Sequence, residues 1–246
     1  MKYKITLIIF YIFSTDHNNL WSVLFIINQQ DKFLNQISNI NKLKITNFKI
    51  LYSANEIDNN IKSWLQNTKY FALIIWDHKQ KNEINKSFSQ ELSSKLSSLN
   101  KKINILCLDF CYSASLQIIL NLTDYVEYII ANQDKQFMDG FCYENLFNTE
   151  MNAKEIAQQI VIQTCNHYKE TDKFNLINLV AIDCNKINLL RPFLNKLDKI
   201  KFNQLDLFVL LQKKFYHKHA IKYLLNSIII AQGRTGNYQS LTGISI

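Results

Sequence analysis

The chain has 246 residues, 48% of them hydrophobic, which is enough for one large domain with a sizeable core. Its formal net charge is +8, yet only Arg191 and Arg234 among the 28 basic residues are arginines. Because phosphate and base recognition favours arginine and the lysines form no stripe, the charge disfavours nucleic-acid binding, and no segment is long and apolar enough to predict a membrane span.

The first apolar segment permits two interpretations. Its β-branched and aromatic residues are typical of a buried parallel strand, so we predict the first strand at residues 4–13. Lys2 and Lys4 resemble the start of a signal peptide, but no small-x-small cleavage motif follows. We therefore favour the strand and a cytoplasmic location, with secretion as the alternative if residues 1–13 are a signal peptide.

Strands and helices alternate along the rest of the first half. The periodicity predicts helices at 19–39, 55–66, 87–99 and 113–122, and strands at 48–53, 70–77, 103–109 and 125–131. This order is typical of a doubly wound α/β domain with a parallel sheet.

The second half contains more predicted helix. A helix at 152–168, a short strand at 178–183, helices at 186–199 and 203–229, and a last strand at 242–246 follow in order. We predict one domain over 1–246, with the core sheet in 1–150 and the C-terminal helices and last strand in 151–246.

Two of the predicted strands end on residues that can act together in catalysis. The run 71–76 is followed by Asp77 and His78, and the run 103–108 is followed by Asp109, Phe110 and Cys111. Because the carboxyl ends of parallel strands meet at one edge of a sheet, the imidazole and the thiol are expected to lie side by side there. A Cys–His pair is the minimum equipment of a thiol nucleophile.

The remaining cysteines and histidines have simpler interpretations. An odd number of cysteines without regular spacing disfavours a disulfide framework, and Cys107, Cys165 and Cys184 are interpreted as buried small hydrophobes. His217 and His219 lie two positions apart and do not share a helix face, so no metal site is predicted there. We expect no cofactor, and nothing in the sequence indicates Ca²⁺.

The two strand ends resemble those of a known family. Asp77-His78 after one strand and Leu108-Asp109-Phe110-Cys111 after the next are similar to the catalytic motifs of the clostripain family of cysteine peptidases, which belongs to the caspase-like clan. Further similar segments follow the family's order, at residues 15–20, 125–132, 139–141, 179–183 and 242–246. The resemblance implies a caspase-like three-layer α/β/α sandwich with a mostly parallel central sheet.

The same resemblance implies a function. The chain would be an endopeptidase that cleaves protein or peptide substrates after Lys or Arg, through a Cys–His dyad and a thioester acyl-enzyme. Cys111 would be the nucleophile, His78 the general base, and Asp109 and Asp139 the substrate-binding carboxylates. The backbone amides of Lys79 and Cys111 would bind the oxyanion.

Two further expectations concern maturation and partners. Family members often cut themselves between the His and Cys strands, and the candidate sites are Lys79, Lys81, Lys86 and Lys95. No nucleic acid, membrane or second subunit is expected as a partner, so the protein is expected to be a monomer.

The alternative function is a degenerate caspase-like pseudopeptidase that binds basic peptides without cutting them. Lys79 stands where the family has the glycine of its His-Gly motif, and Phe110 stands where it has alanine. Cys111 follows His78 by 33 positions, a separation that is also shorter than is usual in the family. Glycine permits a close approach of the backbone to the substrate, which lysine does not permit freely.

Overall fold

The computed structural model describes residues 20–27, 47–51, 59–66, 68–77, 86–133, 140–147, 149–171, 178–194, 207–214, 218–234 and 244. The strands within these residues are β1 (Trp21–Ile27), β2 (Phe48–Leu51), β3 (Tyr70–Trp76), β4 (Ile103–Asp109), β5 (Val126–Asn132), β6 (Asn178–Asp183) and β7 (Ile229–Arg234). They form one sheet of order β2-β1-β3-β4-β5-β6-β7. The pairings from β2 to β5 are parallel, and the last two are antiparallel.

Helices cover both faces of this sheet. They are α1 (Asn59–Gln66), α2 (Lys86–Ser97), α3 (Leu116–Leu122), α4 (Ala153–Thr171), α5 (Cys184–Ile187), α6 (Arg191–Leu194), α7 (Leu207–Lys214) and α8 (Lys218–Ile228), with a 3₁₀ turn at Asn188–Leu190. The longest helix, α4, begins with a reciprocal cap, in which the backbone amide and side chain of Asn152 pair with the side chain and amide of Glu155.

The core is divided by the sheet into two apolar clusters. On the face that we call the α2 face, Leu73, Leu106 and Leu108 pack with residues of α1, α2, α3 and the helices after β6. On the α4 face, Ile74 and Cys107 pack with α4 and the segment 141–147. The chain thus has the predicted three layers, with the mostly parallel sheet in the middle.

Several predicted elements agree with the structure and two do not. The strands at 103–109 and 178–183 have the predicted bounds. The helix predicted from residue 19 is wrong, because Trp21–Ile27 is a strand with all seven residues buried, and a fully apolar run satisfies helical spacing as well as strand spacing. The strand Ile229–Arg234 was also missed, because the sequence pattern predicts a helix end and a loop there. With this strand the sheet extends well beyond residue 150.

The chain termini lie largely outside the described residues. The strand predicted at 4–13 and most of the one predicted at 242–246 fall there, with the exception of Ile244, which is buried and accepts a hydrogen bond from the amide of Leu207. Segment 15–20, which the resemblance places after a first strand, lies outside the described residues except for Leu20. Among the described residues, no helix combines the length and apolarity needed to cross a membrane.

Candidate active site

The parallel pairing of β3 with β4 continues to the ends of both strands. Trp76 is the register partner of Asp109, and the amide of Asp77 donates a hydrogen bond to the carbonyl of Asp109 over 3.3 Å. Partners in this pairing are 33 residues apart in sequence, as in Ala72 with Ile105. The two predicted catalytic segments therefore leave the sheet at the same edge and at the same level.

Cys111 lies directly beyond this edge, in a tight turn, and is partly exposed. The residue after it, Tyr112, has a left-handed backbone conformation with a φ of 56°. A bulky residue at positive φ is strained and persists only where the surroundings hold it. The chain is thus turned sharply at the predicted nucleophile, so that the thiol stays outside the core.

Ser113 holds this turn against the sheet. Its buried hydroxyl donates to the carbonyl of Leu108 over 2.7 Å and accepts from the amide of Asn132 over 2.9 Å. The amide of Ala114 in turn donates to the carbonyl of Asn132. The turn is therefore tied both to β4, from which it comes, and to the neighbouring β5.

Phe110 provides the apolar support of the turn. Its side chain is fully buried on the α2 face and packs edge-on against Phe88 of α2, with ring centroids 5.5 Å apart. The residue that replaces the family's alanine before the nucleophile thus fills the core. The buried ring therefore fixes the turn against the α2 face of the sheet, where it packs against Phe88.

The helix after the turn begins later than the sequence predicts. We expected it from Ser113, where its amino end would favour a thiolate at Cys111. Instead α3 begins at Leu116, because Ser113 uses its hydroxyl to join β4 to β5 and Ser115 is still extended. The amino end of α3 therefore lies beyond the turn that contains Cys111.

Asp109 points away from Phe110, into the α4 face, and is fully buried. Its Oδ2 accepts two hydrogen bonds, one over 2.8 Å from the amide of Phe141 and one over 2.7 Å from the hydroxyl of Tyr143. Its Oδ1 is buried and has no hydrogen-bond partner among the described residues. Oδ2 thus accepts two hydrogen bonds, and Oδ1 can still accept a hydrogen bond from a further donor.

The buried position of Asp109 alters its acid–base behaviour. Burial raises the pKa of this carboxyl group from 3.8 to about 7, although the hydrogen bonds from Phe141 and Tyr143 lower it in part. Burial also raises the pKa values of Tyr143 and Cys107 well above their usual ranges, and the charge of Asp109 raises both further. Asp109 is therefore the group of this cluster that can change charge near neutral pH.

The sequence patterns do not indicate the hydrogen bond between Tyr143 and Asp109, or the close contact of Gly140 with the same carboxyl group. Gly140 has a φ of 72°, and a Cβ atom added there would lie 2.8 Å from Oδ2 of Asp109 and 3.2 Å from the ring of Trp76. The Gly140–Phe141 turn was noted in the sequence, but the contact between β4 and Tyr143 joins residues 34 positions apart. No local pattern in the sequence indicates such a pairing.

Several predicted site residues lie outside the described part of the chain. These are His78, Lys79 and Asp139, so their roles as general base, oxyanion amide and second carboxylate stay predictions. Two self-cleavage candidates are described at the backbone level, since Lys86 is the first residue of α2 and Lys95 lies in its last turn. Peptidases bind extended chains, so the peptide bond after Lys95 is a poor site for self-cleavage while α2 is folded. The other two candidates, Lys79 and Lys81, lie outside the described residues.

The other cysteines have the predicted structural role. Cys107, Cys165 and Cys184 are all buried in the core, and no disulfide joins any of the five cysteines. Among the described residues, no group of three or more His, Cys, Asp or Glu side chains is arranged to hold a metal ion.

Comparison with known proteins gives a consistent result. The family model for the clostripain family matches residues 58–243. A secreted cysteine protease from Bacteroides thetaiotaomicron superposes with a TM-score of 0.71 at 14% identity, covering 92% of both chains. An inactive zymogen protease from Parabacteroides distasonis gives a TM-score of 0.68 at 11% identity over 92% of this chain and 91% of that one.

A third similar structure contains a ligand. It is a secreted cysteine protease from Bacteroides thetaiotaomicron in complex with an irreversible peptide inhibitor, with a TM-score of 0.67 and 13% identity over 92% of this chain and 88% of that one. No curated protein sequence matches the chain. The fold is therefore shared at very low sequence identity.

Proposed function

Because the chain belongs to the clostripain family of cysteine peptidases and has its caspase-like fold, we propose that it is an active endopeptidase that cleaves after Lys or Arg. Cys111 is the nucleophile and His78 is the general base in this proposal. Asp109 and Asp139 provide the negative charge that binds the substrate side chain.

The placement of Cys111 is the observation that carries the proposal. The thiol is partly exposed at the end of β4, beside the end of β3, in a turn that Phe110 and Ser113 hold from two sides. His78 follows the last described residue of the β3 segment and is 33 residues before Cys111, which equals the offset between paired residues of β3 and β4. Continued pairing would place the two residues opposite each other.

The chemistry follows from this pair. His78 accepts the thiol proton, and the Cys111 sulfur attacks the backbone carbonyl carbon of the P1 Lys or Arg residue. The backbone amides of Cys111 and Lys79 donate to the oxyanion that forms. The intermediate collapses to a thioester while His78 gives its proton to the leaving amine, and a water molecule activated by His78 then hydrolyses the thioester.

Asp109 supports the preference for a basic residue. A Lys or Arg side chain that enters a partly desolvated pocket needs a carboxylate partner, because an unpaired buried cation is costly. The Oδ1 atom of Asp109 has capacity for one more donor, and Asp109 lies two residues before the nucleophile. Protein or peptide substrates with Lys or Arg at the P1 position are thus the proposed partners.

Hydrolysis of short peptides with a P1 Lys or Arg and a coumarin leaving group tests this function. We expect the wild-type chain to release coumarin and Cys111→Ala to lose the activity. Cys142→Ala is the matched control, because Cys142 is also partly exposed and its contact with Thr164 uses only its backbone amide. Equal rates for wild type and Cys111→Ala would contradict the proposal.

A second candidate function is a non-catalytic peptide-binding protein, which Lys79 in place of the family's glycine favours. The chain would then bind a basic peptide without cutting it. A peptide aldehyde with a P1 Lys separates the two functions, since it adds covalently only to an activated thiol. A reversible covalent adduct on Cys111 favours the peptidase, whereas binding without an adduct favours the second candidate.

We retain a cytoplasmic location as part of the proposal, because none of the five cysteines is in a disulfide. The cited relatives from Bacteroides thetaiotaomicron are described as secreted, and residues 1–13 keep secretion as the alternative. Fractionation of the producing cells, with detection by an antibody against the chain, distinguishes the two locations.

A further inference from the structure

We propose that Tyr143 is a positioning residue of the P1 subsite: its hydroxyl holds one oxygen of the Asp109 carboxyl group so that the other oxygen receives the substrate cation. The inference rests on the proposed function, in which Asp109 recognises the P1 side chain. It adds a residue that acts through Asp109 and that the sequence motifs do not indicate.

The hydrogen bonds around Asp109 are distributed unequally. The Tyr143 hydroxyl and the Phe141 amide both donate to Oδ2, while Oδ1 has no donor among the described residues. A carboxylate accepts donors on both oxygens, so a buried Oδ1 without one costs free energy until a donor arrives. A P1 ammonium or guanidinium group is a donor of the complementary charge.

Tyr143 itself is rigidly placed. Its ring is buried and packs edge-on against Phe25 of β1, with centroids 6.3 Å apart, and at a tilt against Phe141. Two hydrogen bonds fasten the segment 140–143 to α4, from the Tyr168 hydroxyl to the carbonyl of Gly140 and from the amide of Cys142 to Thr164. The direction of the Tyr143 hydroxyl is therefore set by the packing of the α4 face.

The bond from Tyr143 also bears on the charge of Asp109. Among the described residues, the titratable groups that interact with this carboxyl group are Cys107 on the same strand and Tyr143 on the facing segment. Burial raises the pKa of Asp109, and the Tyr143 hydroxyl lowers it by stabilising the ionised form. Loss of the hydroxyl would leave the carboxyl group protonated at higher pH, without charge for the substrate.

Tyr143→Phe tests the inference, with Tyr168→Phe as the matched control. Tyr168 is also buried on the α4 face, and its hydroxyl donates to the backbone carbonyl of Gly140 and not to Asp109. The readout is kcat/KM between about pH 5 and pH 9 for two coumarin peptides, one with Lys and one with the neutral norleucine at P1.

We expect Tyr143→Phe to reduce the preference for Lys over norleucine by roughly tenfold, and to move the acidic limb of the Lys profile up by about one pH unit. Tyr168→Phe removes a hydrogen bond to the same segment but keeps the one from Tyr143 to Asp109, so it should leave the acidic limb in place and reduce the preference far less. An equal loss for both substrates in Tyr143→Phe, or the same loss of preference in Tyr168→Phe, would mean that Tyr143 only stabilises the fold, and would overturn the inference.

A titration of the Asp109 carboxyl carbon by NMR separates this inference from the proposed function. The pKa of Asp109 should rise in Tyr143→Phe, and an unchanged value would overturn the inference whatever the activity. Absence of cleavage by the wild-type chain would count against the proposed function alone. If Tyr143→Phe does not fold, the wild-type Tyr143 ring carbon next to the hydroxyl should titrate together with Asp109, and independence of the two signals would overturn the inference.

Discussion

The carboxyl end of β4 is supported in different ways on the two faces of the sheet. On the α2 face, Phe110 is held by apolar packing against Phe88. On the α4 face, Asp109 is held by directed hydrogen bonds from Phe141 and Tyr143. The two faces thus differ in kind: apolar packing fixes the turn that contains Cys111, and directed hydrogen bonds hold the carboxyl group that is proposed to bind the substrate side chain.

The largest effect on stability is expected on the apolar face. Phe110→Ala should lower the free energy of unfolding by about 3–5 kcal/mol, because it removes a fully buried aromatic ring and leaves a cavity. Urea denaturation measures the change. In a double-mutant cycle with Phe88→Ala, the two losses should be less than additive by about 1 kcal/mol. Full additivity would show that the contact between the rings does not support the turn.

Asp109 on the α4 face should make the free energy of unfolding depend on pH. The folded pKa of Asp109, about 7, lies above its ordinary value of 3.8, so the folded state binds more protons between these values. The contribution of Asp109 to stability should therefore be most favourable below about pH 4 and become less favourable as the pH rises towards 7, by up to roughly 4 kcal/mol.

Asp109→Asn should remove that decrease, since an amide does not titrate. Urea denaturation of both proteins at several pH values is the measurement. Asp124→Asn, which changes an exposed carboxyl group on the loop before β5, controls for the loss of one charge. A decrease of the same size in wild type and Asp109→Asn would show that other groups cause it.

Gly140→Ala probes the same face through its backbone. We expect it to cost about 1–3 kcal/mol, because alanine is strained at a φ of 72° and its Cβ would meet Oδ2 of Asp109 and the Trp76 ring. In the double variant with Asp109→Ala, part of this loss should be regained, since one of the two contacts is gone. No recovery would assign the cost to the backbone conformation and the contact with the Trp76 ring.

Ser113→Ala tests the connection of the Cys111 turn to β4 and β5 and should have the smallest effect. It removes a hydroxyl that joins Leu108 to Asn132, which should cost about 1–2 kcal/mol and lower the peptidase rate by loosening the turn. Ser115→Ala is the control two residues later, because its side chain makes no capping hydrogen bond to α3. Similar losses in both variants would argue against a special role for Ser113.

The strand ends and the polar cluster on the α4 face differ in how far the sequence predicts them. The strand ends were predictable, because continuous apolar runs such as 103–109 are bounded by polar residues and by a helical pattern on either side. The same rule was ambiguous at Trp21–Ile27, where a continuous apolar run fits helix and strand alike. Only its pairing with β3, which depends on tertiary structure, decides between the two.

The polar cluster on the α4 face could not be predicted to the same extent. Asp109 was identified as a candidate from its place before Cys111, but its burial and its bond to Tyr143 depend on the docking of the segment 140–143 onto α4. The later start of α3 likewise follows from a long-range use of Ser113. Local patterns thus point to Cys111 as the proposed nucleophile, and tertiary contacts determine what surrounds it.

Covalent labelling by a biotinylated peptide acyloxymethyl ketone with Lys at P1, followed by mass spectrometry, tests whether Cys111 is a nucleophile that His78 activates. We expect one label per chain on Cys111, no label in Cys111→Ala, and strongly slowed labelling in His78→Ala. A chain that takes up no label, that is labelled on another cysteine, or that is labelled equally fast without His78 would contradict this expectation.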